Sequence, residues 1–329
     1  MTPAVSILVP IYNASNYIER CAHSVFQQTF DDIEYVFVND CTPDDSIKKL
    51  KKVIEQYPNR KDKIKFIYHK KNQGIGVSRN SCIENALGKY IQFIDSDDYI
   101  EVDMIETMYK RAEEEQADIV VCDAIDEYKN KLLLRQDYVA ESRDENFKNQ
   151  LINEICQGFL WNKLIKRELY VNNKLRIPEG LNYMEDLFII LRLYYFAKKI
   201  VKIDRAFYHY VIYNANSITK NKTHKHFENV ILFYSSLESF LKENNIFEKY
   251  KAVFEQQKLK LKIHLFFCTN ISSLRYEYRN MFIEEEKKHW HTLKIVQKVM
   301  LFCSKRKYLL WGTQIIKKLL ILKAKLYKK

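Results

Sequence analysis

The chain has 329 residues, 47% of them hydrophobic, and a formal net charge of +12. It is an ordinary globular composition, large enough for one sizeable domain with an appendage. No apolar run approaches the ~20 residues needed to cross a bilayer, and no basic stretch followed by an apolar one opens the chain as in a signal peptide, so a cytoplasmic protein, soluble or peripheral, is expected. Seven cysteines, Cys21, Cys41, Cys82, Cys122, Cys156, Cys268 and Cys303, lie far apart without a C-x-x-C pair. They read as buried thiols in a reducing compartment. The charge is uneven. From Lys305 onward nine basic residues stand without one Asp or Glu, which leaves the body nearly neutral, argues against a nucleic-acid partner, and points to local contact with an anionic surface.

In chain order, β-rich runs at 5–11, 33–38, 64–68, 90–94 and 118–122 alternate with helical patterns, the signature of a sheet wound with helices. Asn16-x-x-Glu19 has the form of a capping box opening a helix with Ile18, Cys21, Ala22, Val25 and Phe26 at helical spacing. Helices are also expected over 44–57 and 76–87. Beyond Cys122 the alternation weakens. Helices are predicted over 161–171 and 185–197, a strand over 207–212, and helix almost throughout from about Thr223.

Chemistry-bearing residues cluster where an open α/β sheet puts its site, at the carboxyl ends of strands near a switch in strand order. The first strand ends in Val9-Pro10-Ile11-Tyr12-Asn13, the second in Val38-Asn39-Asp40, the fourth in Asp95-Ser96-Asp97-Asp98. Three carboxylates on one turn suit a hard cation, Mg²⁺ or Mn²⁺, carrying a diphosphate; an Asp-rich turn that merely starts a helix is an equal reading of that stretch alone. Tyr12 is suited to stack on a base and Asp40 to accept from a base N–H, and each has a structural alternative as a packing ring or a helix cap. Asn72-Gln73-Gly74-Ile75-Gly76 with Arg79 is not the dinucleotide fingerprint, because it follows the third strand and lacks the third glycine. Its glycines still allow backbone to approach an anion at a helix start.

Taken together, these segments, with Ala86-x-Gly88-x-Tyr90-Ile91, Trp161-Asn162-Lys163-Leu164, Glu185-Asp186-Leu187-Phe188, Tyr208-His209-Tyr210 and Ser217-Ile218, resemble the inverting family 2 glycosyltransferases of the GT-A fold over about the first two thirds of the chain. The resemblance implies an α/β fold with a Rossmann-like mixed sheet and a C-terminal helical region. Its expected divisions are a nucleotide-sugar half at 1–125, an acceptor half at 126–220 and a basic helical region at 221–329. It implies metal-dependent transfer of a sugar, commonly uridine-linked, from a nucleotide diphosphate to a hydroxyl of a saccharide or lipid-linked saccharide, in cell-surface polysaccharide or glycolipid synthesis. Pro10, Tyr12, Asn13, Asp40, Asn72, Gly74, Arg79, Asp95 and Ser96 would line the nucleotide sugar, Asp95 and Asp97 would hold Mn²⁺ or Mg²⁺, and Asp186 would be the base. A departure stands after Asp40, where Cys41-Thr42-Pro43 replaces the usual Gly-Ser and removes a residue that tolerates positive φ.

Displacement at an anomeric carbon needs a base opposite the leaving diphosphate, so an acid beyond the metal pair is required. Asp186 serves as that base or, with Glu185, as a helix-start carboxylate favoured by the dipole. Trp161 reads as core, His209 as packed or hydrogen-bonded, and His224-Lys225-His226 as a solvated helix start. In the last segment, 305–329, an apolar stripe ringed by lysines suits an interfacial helix at the inner face of an anionic membrane, or equally a docked terminal helix. The rival functions are nucleotidyl transfer and a non-catalytic sugar-nucleotide-binding module.

Overall fold

The computed structural model describes residues 2–152, 158–214, 224–268 and 281–304. The chain divides into two compact units, Met1–Ser217 and Ile218–Lys329.

The first unit is built on one mixed sheet. Strands β1 (Val5–Ile11), β2 (Ile33–Asn39), β3 (Ile64–Tyr68) and β4 (Tyr90–Phe93) are parallel, in the order β3-β2-β1-β4. All seven residues of β1 are buried, as a central strand covered on both faces requires. Strand order therefore reverses beside β1, and the ends of β1 and β4 open onto the same edge. Pro10 is tolerated there for a local reason. Leu8 accepts from Ile94 N–H and Ile11 from Asp40 N–H, so alternation turns the Pro10 nitrogen toward β4, beyond the last pair Leu8↔Phe93. No ladder bond is lost.

The sheet continues through β8 (Lys163–Lys166), β6 (Ile119–Tyr128), β9 (Ile200–Val211) and β5 (Tyr99–Ile100), with β7 (Lys131–Arg135) as a hairpin arm on β6. Strand β6 runs without a break across residues 125 and 126. Helices α1 (Ile18–Phe26), α2 (Ser46–Ile54), α3 (Ile75–Asn85), α4 (Met104–Glu114), α5 (Arg143–Ile152), α6 (Arg167–Asn172) and α7 (Glu185–Phe196) complete the unit. In α1 the buried face is Ile18, Cys21, Ala22, Val25 and Phe26, the stripe expected of an amphipathic helix.

Three expectations are corrected. The capping box does not form: the helix starts with Tyr17 at its cap position, no side chain caps it, and Ala14 O accepts from Tyr17 and Ile18 instead. Residues 161–171 are not one helix, because Leu164 pairs with both Gln92 and Val120 and the sheet claims the segment before α6 begins. Tertiary pairing overrides the local pattern there. The thiols of Cys21, Cys82 and Cys122 are buried but that of Cys41 is exposed; the side chains of Cys156, Cys268 and Cys303 lie outside the described residues. Elements β5, β7, α4 and α5 had no counterpart in the sequence reading.

The second unit holds α8 (His224–Glu243), α9 (Phe247–Cys268), α10 (Ile283–His289) and α11 (Ile295–Ser304), in keeping with the expected helical region. Phe227, Val230, Tyr234, Leu237 and Leu241 are its buried stripe on α8. His226 is buried too, which corrects the solvated reading for that residue. Among the described residues no helix is long and apolar enough to cross a membrane. The basic segment 305–329 lies outside them.

Trp161 is a core residue. It is 2% exposed and stacks on Tyr208 with ring centroids 4.4 Å apart and on Phe159 at 4.9 Å. Replacing Trp161 by Ala should cost about 3–5 kcal/mol of unfolding free energy, read by denaturant titration; a loss below about 1 kcal/mol would contradict this packing.

Candidate active site

The turn after β4 leads from the middle of the sheet to its far edge, where β5 pairs with β9. Its four residues divide by burial. Asp98 is buried and spent on the scaffold, accepting from Tyr208 Oη and Val211 N, each at 2.8 Å. Ser96 is buried between its neighbours, while Asp95 and Asp97 remain half-buried at the surface of the turn. The turn closes through Asp98 N–H to Asp95 O at 3.0 Å. Two carboxylates, rather than the three that the sequence offered, face outward. Asp97 accepts from Asn214 Nδ2 at 2.7 Å, and its carboxyl is held above the usual range by burial first and by the nearby Asp95 second.

Asp40, at the end of β2, is turned into the loop before α3. Its Oδ1 accepts from Gln73 N at 2.9 Å and pairs with His69 Nδ1 at 2.7 Å; its Oδ2 accepts from Gly74 N at 2.8 Å. His69 in turn meets Ser81 Oγ through Nε2 at 2.9 Å. The carboxylate thereby fixes the loop over the end of the sheet. Gly74 adopts φ +91°, where a side chain would be strained, and a Cβ there would fall 2.2 Å from Asn182 Oδ1 and displace that amide. Asn72 is exposed, and Tyr12 is 49% exposed just past β1. Asn13 donates its backbone N–H to Thr42 Oγ1 at 2.8 Å.

Arg79 is the centre of the arrangement. Its side chain is only 3% exposed. Nη2 donates to Asp95 Oδ1 at 3.1 Å and Nη1 to Glu185 Oε1 at 2.5 Å, and Nη1 also bonds Asp186 Oδ1. Expected to line the nucleoside, Arg79 has its fork committed to three carboxylates. Asp186, in the first turn of α7, also accepts weakly from Leu160 N at 3.4 Å. Its carboxyl is pushed up to about 8, by burial first; Arg79 opposes that shift, and Glu185 and Asp95 reinforce it. One guanidinium cannot keep three crowded carboxylates ionised cheaply. The arrangement thus holds a carboxyl poised to take or release a proton near neutrality.

Asp95 and Asp97 from the β4 end, Asp40 with the Gly74 loop, Tyr12 and Asn13 from β1, and Asp186 from α7 are carried by neighbouring ends of the sheet and the helices that follow them. Glu185, His69, Asn182 and Asn214 were missed as site residues. His69 carried a usable signal, directly after the third strand; the others needed contacts more than 100 residues away in sequence.

The family described as Glycosyl transferase family 2 matches residues 6–180, and the chain belongs to that family. It is 36% identical over 256 residues to EpsH of Bacillus subtilis (strain 168), which bears a glycosyltransferase name, covering 76% of this chain and 72% of that one. The fold is similar to that of S. aureus TarS 1-349, solved in complex with UDP-GlcNAc, with a TM-score of 0.66 at 18% identity over 92% of this chain and 91% of that one. It is also similar to that of the mannosyltransferase PcManGT from Pyrobaculum calidifontis, solved with GDP-Man and Mn²⁺, with a TM-score of 0.53 at 12% identity over 98% and 86%. The chain is a glycosyltransferase of GT-A fold. Nucleotidyl transfer and a non-catalytic binding module are set aside.

Cys41 stands where the loss of glycine put the turn shape in question. Cys41 itself takes the left-handed conformation there, with φ +56°. A left-handed conformation costs a side-chain-bearing residue about 1–2 kcal/mol, part of which the stiffer unfolded chain returns. Cys41→Gly should therefore raise stability by up to about 1 kcal/mol in denaturant titration. A measurable loss would mean that the Cys41 side chain makes contacts outweighing the strain.

Proposed function

We propose that the protein transfers a sugar from a uridine-diphosphate donor to an acceptor hydroxyl with inversion, Asp186 acting as the base. The observation that carries this reading is the half-buried, elevated carboxyl of Asp186, held on the same Arg79 guanidinium as Asp95 of the β4 turn. Support for a uridine donor comes from TarS of similar fold, solved with UDP-GlcNAc.

In this reading Tyr12 and the Asp40-braced loop, with Pro10, Asn13, Asn72 and Gly74, receive the nucleoside. Asp95, Ser96 and Asp97 face the diphosphate. Asp186 accepts the acceptor's proton as its oxygen bonds the anomeric carbon, and the nucleoside diphosphate leaves from the opposite face. Arg79 holds Asp186 and Asp95 in register with each other.

A divalent cation fits the outward pair. Among the described residues no three metal-ligating side chains come together, but two carboxylates completed by donor phosphates are a set that Mg²⁺ or Mn²⁺ accepts. The Asp97 carboxyl is raised by burial first and by Asp95 second, and a dication would supply the countercharge that both causes call for. Held there by Asp95 and Asp97, the ion would offset charge on the departing diphosphate. The basic, apolar sequence of 305–329 supports peripheral contact with an anionic membrane surface, where a lipid-linked saccharide acceptor in cell-surface polysaccharide synthesis would be met.

The test separates binding from chemistry. Asp97→Asn should weaken Mn²⁺-dependent UDP binding in calorimetry, whereas Asp186→Asn should retain it and lose roughly 10²-fold or more of transfer. Since the carboxylate form is the base and the carboxyl is held up to about 8, wild-type transfer should rise with pH below that value and level off above it. UDP binding should not follow that curve. A flat transfer profile from pH 6 to 9, or near wild-type transfer by Asp186→Asn, would remove Asp186 from the role.

A further inference from the structure

The sheet face that carries Tyr208 and Tyr210 extends past the carboxylate cluster onto the β6–β7 hairpin. Asp126 lies opposite Tyr210 on β9 and opposite Leu133 on β7, and directly paired residues share a face. Arg135, two residues beyond Leu133, projects from that face as well. Its Nε and Nη2 donate to Asp126 Oδ1 and Oδ2 at 2.7 and 2.8 Å, a bidentate fork. The guanidinium carbon sits 5.2 Å from the centroid of Phe159 and 5.3 Å from that of Tyr210. Phe159 rests in turn on Trp161.

This assembly is open to solvent. The Arg135 and Asp126 side chains keep 21% and 15% of their exposure, Leu133 keeps 42%, and Phe159 and Tyr210 are half-buried. Arg135 Nη1 donates to nothing among the described residues. The assembly also borders the reacting groups. Leu160, the residue after Phe159, bonds Asp186, and Tyr210 lies within electrostatic reach of Asp95, Asp97 and Asp98.

A guanidinium already neutralised by its own carboxylate has little net charge to attract an anion. It still offers fixed donors and acceptors in one plane, here beside apolar and aromatic edges. A sugar ring matches that combination, with hydroxyls for the fork and C–H faces for the rings. We propose that Arg135 and Asp126, with Leu133, Phe159 and Tyr210, bind the acceptor saccharide and turn its hydroxyl toward Asp186. The inference rests on the reading of Asp186 as base; an isolated ion pair bracing the hairpin would have no effect on acceptor kinetics.

The test uses the full chain, Mn²⁺ and UDP-N-acetylglucosamine, with p-nitrophenyl β-glucoside, β-galactoside and β-N-acetylglucosaminide as acceptor probes. Arg135→Lys keeps the charge and loses the fork, Asp126→Asn keeps the shape, and Leu133→Arg blocks the ledge at an exposed position whose change the fold tolerates. Each should raise the acceptor KM roughly tenfold or more, leaving kcat at saturating acceptor, UDP affinity and the slow transfer of the donor sugar to water near wild type. Unchanged acceptor KM in Leu133→Arg and in either of the other two variants overturns the assignment. So does failure of the wild type to bind any of the three glycosides in saturation-transfer NMR with UDP present. Failure of the underlying donor reading would be seen separately, as absent binding of UDP-N-acetylglucosamine to the wild type.

Discussion

A positive charge withdrawn from water is tolerable only among negative partners, and the burial of the Arg79 guanidinium organises the rest of the site. It stands on α3 and draws in Asp95 from the end of β4 and Glu185 and Asp186 from the start of α7. Three segments that are separate in sequence thereby share one electrostatic centre. The carboxylates in turn exceed the charge they surround, and the Asp186 carboxyl is pushed up to about 8, by burial first and then by Glu185 and Asp95 against the opposing Arg79. The same crowding that destabilises the cluster as a packing element suits it to proton transfer.

Around that centre the backbone is bent where the site needs it. Asn13, Cys41 and Met184 adopt φ of +53°, +56° and +67°, at the ends of β1 and β2 and at the residue before Glu185. Left-handed conformations in side-chain-bearing residues collect at functional turns because surrounding bonds hold them there. Here those bonds are identifiable, among them Thr42 Oγ1 to Asn13 N and Asn39 Oδ1 to Thr42 N. The Asp98 carboxylate does the corresponding work for the metal-site candidates, tying their turn to β9.

Much of this was legible in the sequence, for reasons that differ by element. Strands β1 and β3 were bounded correctly because short runs rich in β-branched, apolar and aromatic residues end at polar turns, and the convergence of strand ends followed from the winding rule. The family was legible in an ordered set of short motifs. Residues 161–171 were not, because Leu164 and Ile165 fit a helix locally and a strand only once β4 and β6 stand beside them. Long-range pairing also hid the committed roles of Arg79 and Asp98, whose types and positions were plain but whose partners lie about 110 residues away. The Arg135–Asp126 pair was invisible for a related reason, since the hairpin that joins them was not anticipated.

The most direct test of the electrostatic centre is the unfolding free energy of Arg79→Met against wild type, measured at pH 8 by denaturant titration. Removing one partner of a buried ionic cluster leaves the others uncompensated, and the account predicts a loss of about 3–5 kcal/mol. A loss below about 1 kcal/mol, or a gain, would show that the three carboxylates do not depend on Arg79 and would contradict its place at the centre of the site.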